Sequence, residues 1–397
     1  MNILCVAPFA PPLNHAEPIQ VYRILEQLLA TDRVDLVSEP IFGSWSSVDD
    51  AFVLSGPKLR RLELAMPAHS VMMRLAGHRV ARPVSPLLDH WLALFARRVL
   101  RWSSDFDCIY TRSFPTRAAL LGRALKRRSG KPWIMHLSDP WADNSEAGLG
   151  SLARRIAEHD ERACFADADR ITLTTEAQAD HYRRKYPFSA ARIAVTPNVL
   201  PAGATRMPTR FDPNGTIELV LAGSLYGRRS IGPLLGALAA LPADVRDCFR
   251  LTVAGNAIDS EVAALLQAGH MVSYRGLVSY REVLRLQEGG NILVTVEPPR
   301  ASDRDGQYLL SKLLDYLPTG KPILAITSSG SVTEQIVRPR FGWSVDVGDV
   351  AAIADLLGRI ARGEEARSIA AFATELPESL RAEAVARDLR LMMESLT

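Results

Sequence analysis

Cysteine is scarce in this chain of 397 residues: Cys5, Cys108, Cys164 and Cys248 are all there is, and no two make a C-x-x-C pair. That excludes a disulfide framework and a cysteine-built zinc site, and it reads as reduced core thiols of a cytosolic protein. Long apolar runs are missing too. No segment approaches the roughly 18 uninterrupted apolar residues that a membrane-spanning helix needs. The opening M-N-I-L-C-V-A-P has no basic stretch ahead of its short apolar run, so it reads as a first strand rather than a secretory signal. Nor is there an excess of charge of one sign: 47 Lys and Arg against 44 Asp and Glu leave +3, which gives no electrostatic case for nucleic acid as a partner. A G-x-G-x-x-G fingerprint and a P-loop are both absent, which weighs against NAD binding and ATP hydrolysis.

What is present is an ordinary globular composition, 47% hydrophobic and 23% charged, over a length that suits two or three domains. Short apolar runs alternate with segments of helical period. In the first half the runs are Ile3–Ala7, Val34–Val37, Cys108–Tyr110, Trp133–Leu137, Ile171–Thr174 and Ile193–Thr196. In the second they are Ile217–Ala222, Leu251–Ala254, Val272–Tyr274, Ile292–Val296, Ile323–Ile326 and Trp343–Val345. Buried strands between helices predict α/β architecture: two doubly wound, Rossmann-like parallel-sheet domains. Helices are expected over Val21–Leu29, Arg117–Arg128, Leu152–Phe165, Ile231–Leu241 and Val350–Ala361. The proline-rich stretch Pro197–Gly215 has little hydrophobic periodicity and reads as the break between halves. The expected domains are therefore 1–199 and 216–377, joined by a linker over 200–215. A last amphipathic helix within 378–397 either caps the second domain or crosses back onto the first. Two such domains in tandem would hold one substrate each across a cleft.

Chemistry is densest in Gly306–Ile326, G-Q-Y-L-L-S-K-L-L-D-Y-L-P-T-G-K-P-I-L-A-I. A glycine leads into a short helix with Lys312 and Asp315, then Pro318-Thr319-Gly320 breaks it before the next strand. A cation and an acid near strand ends suit a phosphorylated, hydroxyl-bearing ligand. A second candidate follows Ile217–Ala222, where Gly223-Ser224-Leu225-Tyr226-Gly227-Arg228-Arg229 joins strand to helix. There, backbone N–H groups and a forked guanidinium can take phosphate oxygens. In the first half, Trp133-Ile134-Met135-His136-Leu137-Ser138-Asp139-Pro140-Trp141 puts His136 and Asp139 at a strand end. They are candidates for a general base and for ligand contact. The loop Pro8–Glu17 adds His15 and Glu17. Finally, Lys58–Trp102 carries nine basic residues (Lys58, Arg60, Arg61, Arg74, Arg79, Arg82, Arg97, Arg98 and Arg101) against Glu63 and Asp89. This is a basic amphipathic face that would suit an anionic membrane, or simply a solvated helix side.

Taken together these pieces resemble a GT-B glycosyltransferase of the retaining "glycosyl transferases group 1" type. The resemblance spans nearly the whole chain. It rests on M-N-I-L-C-V-A-P-F-A-P-P, F-D-C-I-Y-T-R-S, G-K-P-W-I-M-H-L-S-D-P-W, A-D-R-I-T-L-T-T-E and I-A-V-T-P-N-V in the first half. In the second half it rests on L-V-L-A-G-S-L-Y-G-R-R-S, L-T-V-A-G-N, V-S-Y-R-G-L-V-S-Y-R-E-V and S-K-L-L-D-Y-L-P-T-G-K-P-I-L. It implies a nucleotide-diphosphate sugar, of the UDP or GDP type, as donor substrate on the second domain, with no cofactor and no metal. Arg228 or Arg229 and Lys312 would neutralise the diphosphate, alongside Gly223, Tyr226, Leu310 and Ser311. Asp315 would take the ribose, and the Gly276–Ser279 turn, with Gly276 and Val278, the base. The acceptor, a glycan or lipid-linked saccharide of cell-envelope or exopolysaccharide synthesis, would lie on the first domain near Pro11–Glu17, His136 and Asp139. Such an enzyme would be cytoplasmic, in peripheral contact with the inner face of an anionic membrane, and would not bind nucleic acid.

Three departures from the family pattern stand out. Gln307 occupies the place of the acid usually found eight positions before Asp315, which excludes a carboxylate nucleophile there. Glu297, Asp303 or Asp305 could substitute only with a rearranged loop. Asn14-His15-Ala16 replaces the usual glycine pair, and Ser224 an arginine. These leave two other readings open: a nucleotide-sugar epimerase on the same fold, and a degenerate, non-catalytic protein that binds a nucleotide sugar or a partner.

Overall fold

The computed structural model describes residues 1–41, 47–65, 85–144, 149–209, 211, 215–300 and 305–397. The chain forms two compact units, Met1–Gly203 together with Glu378–Thr397, and Ala204–Pro377.

The first unit is built on seven parallel strands: β1 (Asn2–Val6), β2 (Arg33–Ser38), β3 (Leu59–Glu63), β4 (Cys108–Ser113), β5 (Trp133–Leu137), β6 (Arg170–Leu173) and β7 (Ile193–Val195), in the order β3-β2-β1-β4-β5-β6-β7. Side chains alternate across a strand, and β1 shows what that does here. Leu4 and Val6 pack with residues of α2 (Arg117–Ser129), α3 (Ser151–Asp167) and α4 (Glu176–Lys185). Ile3 and Cys5 pack on the other face with α1 (Ala16–Thr31). The order reverses between β1 and β4, so their C-terminal loops flank the sheet's switch point.

The second unit has β8 (Ile217–Ala222), β9 (Phe249–Ala254), β10 (Val272–Tyr274), β11 (Ile292–Val296), β12 (Ile323–Ile326) and β13 (Gly342–Val345), all parallel, in the order β10-β9-β8-β11-β12-β13. Its switch point lies between β8 and β11. Ile217, Leu219 and Leu221 pack against α5 (Gly232–Ala240) and α10 (Val350–Ala361). The α/β, doubly parallel architecture expected from the spacing of apolar runs is borne out.

Two local features differ from the sequence reading. Strand β3, Leu-Arg-Arg-Leu-Glu, was hidden by its charge, because it is a sheet edge. Lys58 reaches the Ala30 carbonyl (2.6 Å), Arg60 pairs with Asp35 (3.3 Å), and Arg61 donates to Ser38 Oγ (3.0 Å) and the Pro11 carbonyl (2.7 Å). These three cations therefore brace the edge rather than forming a free basic face. Arg97, Arg98 and Arg101 are exposed, whereas Arg74, Arg79 and Arg82 lie outside the described residues. The start of the proline-rich stretch is core rather than linker. Val199 and Leu200 are fully buried, and Gln20 pairs with both the N–H and the carbonyl of Val199.

The C-terminal helix α11 (Ala382–Glu394) packs on α1. Its Val385, Ala386, Leu389 and Met393 join the cluster of Ile24, Leu25 and Leu28. Arg390 and the chain's amino group both hold the buried Asp32 carboxylate, whose pKa is lowered by those bonds against the opposing cost of burial. Leu389→Ala should remove about 2–5 kcal/mol from the unfolding of the first unit. Urea unfolding followed by tryptophan fluorescence and hydrogen exchange checks this; an unchanged unit would rule out α11 as part of its core.

Candidate functional site

The residues singled out in the second half converge where β8 and β11 end. The helix α8 (Ser311–Tyr316) carries Lys312 and Asp315, and Tyr316 locks it in place. The buried Tyr316 hydroxyl accepts from the Ala222 N–H (2.8 Å) and lies 3.2 Å from the Ala222 carbonyl and 3.1 Å from that of Val294. A side chain four residues after Lys312 thus ties this helix to both strands of the switch point. The motif S-K-L-L-D-Y held that signal, but it carries meaning only once β8 and β11 are neighbours.

Lys312 runs across Gly223. A methyl group on Gly223 would come within 2.5 Å of Lys312 Nζ, at a φ of +154° that side-chain-bearing residues rarely adopt. The next turn is equally tight: a Cβ on Gly255 (φ +137°) would meet the Gly223 carbonyl carbon at 2.6 Å. The Gly223 N–H donates to Ala254, and the Gly255 N–H to Gly276 (φ +62°). The loops after β8, β9 and β10 are therefore stacked on one another through glycines.

Charge in this corner is unbalanced. Among the described residues, Lys312 Nζ and Arg229 Nε are buried without a hydrogen-bond partner. Arg229 lies over the exposed Tyr226 ring, 5.0 Å from its centroid. Burial, then the nearby Arg229 guanidinium, push the Lys312 ammonium down to about 7, while Glu297 pulls the other way. Glu297, at the end of β11, is buried and accepts hydrogen bonds from the hydroxyls of Thr327 and Thr333. Two cations side by side with unused donors make an anion site.

Arg228 and Arg229 are separated by their partners. Arg228 donates to the Pro299 carbonyl (3.1 Å) and pairs with Asp305 (3.1 Å). Arg228 thus braces this loop, whereas Arg229 Nε has no hydrogen-bond partner among the described residues. Asp305 and Glu297 are thereby engaged, and neither stands in for the acid absent at Gln307; Asp303 lies outside the described residues. Asp315 accepts the Tyr280 hydroxyl at 2.8 Å. Tyr280 opens α7 (Tyr280–Gly289) directly after the Gly276–Ser279 turn, so the expected ribose acid and base turn meet through one contact that the sequence reading missed. Leu310 caps α8 without a side-chain bond, and Ser311 and Val278 are half-buried nearby in sequence to these groups.

In the first unit, His136 is fully buried. Its Nδ1 shares a 3.0 Å hydrogen bond with Thr172 Oγ1, and Nε2 is buried without a partner. Burial and the neighbouring Arg112 hold its pKa well below the ordinary value, so the ring is neutral. It is a core histidine, and the expected role as a base open to substrate does not suit that position. Glu17 is buried as well. It takes Arg112 through Nε (3.0 Å) and Nη2 (3.3 Å), and Ser138 Oγ (2.6 Å), tying the first loop to the end of β5. Asp139 follows on that loop, half-buried, and His15 is exposed. The rest of the loop is held by Glu161, fully buried, which accepts from the Ala142 N–H (3.0 Å), Tyr182 (2.9 Å), Tyr186 (2.7 Å) and Lys185.

Residues 19–199 match the family model of the glycosyl transferase 4-like domain. No curated protein sequence matches the chain. Among solved structures, HepE of Anabaena in complex with UDP and glucose is 15% identical with a TM-score of 0.69 over 100% of both chains. WaaG, a glycosyltransferase involved in lipopolysaccharide biosynthesis, is 16% identical at 0.63 over 100% of both. The lipopolysaccharide outer core galactosyltransferase WaaB is 14% identical at 0.64 over 100% of this chain and 99% of that one. The resemblance read from the motifs is borne out at the level of fold: the chain has the two-domain GT-B architecture of these glycosyltransferases.

The depressed Lys312 has a stability consequence. Between about pH 7 and its ordinary 10.5 the unfolded chain binds a proton at this residue that the folded one does not. The Lys312 contribution should therefore rise with pH across that window, by up to about 1.4 kcal/mol per unit. Comparing Lys312→Met with the parent by thermal melting from pH 6 to 10 checks it: the variant should be the more stable near neutrality, with the difference shrinking as pH rises. A gap that stays constant with pH would show that Lys312 is not titrating in the folded unit.

Proposed function

We propose that this GT-B chain is a glycosyltransferase that moves a sugar from a nucleotide-diphosphate donor, held by the second unit, to a hydroxyl acceptor taken by the first. The observation that carries this reading is the pair Arg229 and Lys312, two buried-edge cations with unused donors at the switch point of the second sheet. Breaking the bond between the anomeric carbon and the diphosphate oxygen leaves negative charge on that oxygen. Fixed donors aimed at the growing charge lower the barrier without having to reorganise. A diphosphate would also keep Lys312 protonated, supplying the counter-charge that the free site lacks.

In this scheme Asp315, oriented by Tyr280, takes the ribose hydroxyls, and the Gly276–Ser279 turn takes the base. Gly223 makes room for Lys312, and Gly255 for the close packing of the loop beneath it. Asp139 contacts the acceptor. With Gln307 where an acid would stand, no carboxylate nucleophile is assigned, and retention of configuration rests on the resemblance. Two fixed cations fill the part a metal would otherwise play. The likeness to HepE, bound to UDP, and to WaaB and WaaG, of lipopolysaccharide synthesis, favours a UDP-type donor and a cell-envelope or exopolysaccharide acceptor, glycan or lipid-linked. No described helix is long and apolar enough to cross a membrane. Peripheral contact at the cytoplasmic face would use exposed Arg97, Arg98 and Arg101 beside Leu94, which is 82% exposed. Ala16 and Gln307, where the family has glycine and an acid, favour one rival: binding without turnover.

Thermal-shift measurements with UDP, GDP, ADP and CMP and their sugar conjugates test the donor. One diphosphate should raise the melting temperature. Arg229→Ala and Lys312→Ala should each weaken it by at least about tenfold, and Arg228→Ala by less. Affinity should fall above about pH 7, where free Lys312 loses its proton while the phosphates stay ionised. Unchanged affinity in both Arg229→Ala and Lys312→Ala would remove this donor site. Nucleotide bound but never released from its sugar, with any acceptor, would favour the binding-only reading, whereas interconversion of donor sugars without acceptor would favour the epimerase.

The membrane contact is tested separately. The double variant Arg97→Glu, Arg98→Glu should sediment less with vesicles containing phosphatidylglycerol than the parent does, and equally poorly with neutral vesicles. Equal sedimentation of both proteins with the anionic vesicles would remove the contact.

A further inference from the structure

The switch point of the first sheet is where an α/β unit presents its loops to a ligand. There the loop after β1 brings Phe9, and the loop after β4 brings Phe114. Their rings meet edge to face, 6.5 Å apart at 72°. Phe9 is braced from behind: the Arg117 guanidinium lies 5.6 Å from its ring centroid and is itself held by Glu39 and Asp89. Phe114 is left 45% exposed. The Ser138 N–H donates to the Ser113 carbonyl (2.9 Å), which sets the Ser138-Asp139 loop alongside Phe114.

A single exposed phenylalanine is ordinary. This one differs in standing at a switch point and in being held by a partner ring that a charged cluster, Arg117 with Glu39 and Asp89, braces in turn. A long lipid chain would call for a continuous apolar groove, which Arg117, Glu39, Asp89 and Asp139 interrupt. A pyranose ring, with one face of C–H groups and a rim of hydroxyls, matches an aromatic face beside a carboxylate. The negative face of an aromatic ring attracts C–H groups, and a ring already held in place spends little entropy on binding.

We propose that Phe114, backed by Phe9, is the platform for the acceptor's sugar ring, with Asp139 receiving its hydroxyls. This rests on the glycosyltransferase reading above and narrows its acceptor to one that presents a pyranose.

Saturation-transfer NMR on the full chain, with methyl β-glucoside, methyl β-galactoside and decyl phosphate as probes, tests it. One of the two glycosides should receive saturation at its ring C–H protons. That signal should fall by at least about fivefold in Phe114→Ala and survive in Phe114→Trp. Melting curves show whether the variants are folded, and Phe114→Leu, which keeps apolar volume without the ring, should lose the signal like Phe114→Ala. UDP binding should be unchanged by the Phe114 variants, and Arg229→Ala should leave the glycoside signal intact. Equal signal in the parent, Phe114→Ala and Phe114→Leu would overturn the platform, as would transfer to decyl phosphate alone or to none of the probes. If UDP still binds in those cases, the donor reading survives. If glycosides bind at Phe114 but no nucleotide binds the chain, the donor reading fails and the platform stands as a sugar site.

Discussion

A lysine ammonium with no hydrogen-bond partner among the described residues sets the character of the second unit's corner where β8 and β11 end. Lys312 costs stability where it lies, because no hydrogen bond from the described residues repays its lost hydration and the attraction of Glu297 offsets it only in part. The Lys312 helix and the path of that side chain are fixed by neighbours. Tyr316 fastens α8 to β8 and β11, the absence of a Cβ on Gly223 opens the path, and Arg229 raises the electrostatic cost further. The excess positive charge there is relieved either by loss of the Lys312 proton or by an anion. On the proposed reading, the same arrangement that weakens the free fold would strengthen the hold on a diphosphate, and most strongly on one whose charge is increasing as a bond breaks.

The first unit handles buried charge in the opposite way. Glu17 is matched by Arg112 and Ser138, Glu161 by four donors, and Asp32 by the amino terminus and Arg390. These carboxylates are satisfied, so they order loops instead of seeking ligands. Breaking one partner in such a network leaves an uncompensated charge. The contrast separates structural acids and bases from candidate functional ones better than residue type does. His136, which looks like a catalytic base in the sequence, is set apart by burial rather than by pairing: Nδ1 meets Thr172, while Nε2 has no partner among the described residues. Arg228, beside Arg229 in the chain, belongs with the structural groups, since Asp305 and the Pro299 carbonyl already hold it.

The pattern of apolar runs by itself determined the architecture. Parallel strands covered on both faces must be apolar nearly throughout, so β5, β8, β11 and β12 were legible to within a residue, and both sheets with them. It failed at β3, since an edge strand has no need of that apolar pattern and Arg60 and Arg61 find partners in neighbouring loops. Lys312 and Asp315 were also visible as candidates, because a cation and an acid in a short helix after a buried strand are unusual wherever they point. Only the tertiary structure decided which groups are paired. Whether Arg228 or Arg229 is spent, whether His136 is open, and that Tyr280 reaches Asp315 across 35 residues all depend on distances between segments remote in the chain. The balance of desolvation against partner charge that makes Lys312 a weak base is set by those same distances, and a linear sequence does not contain them.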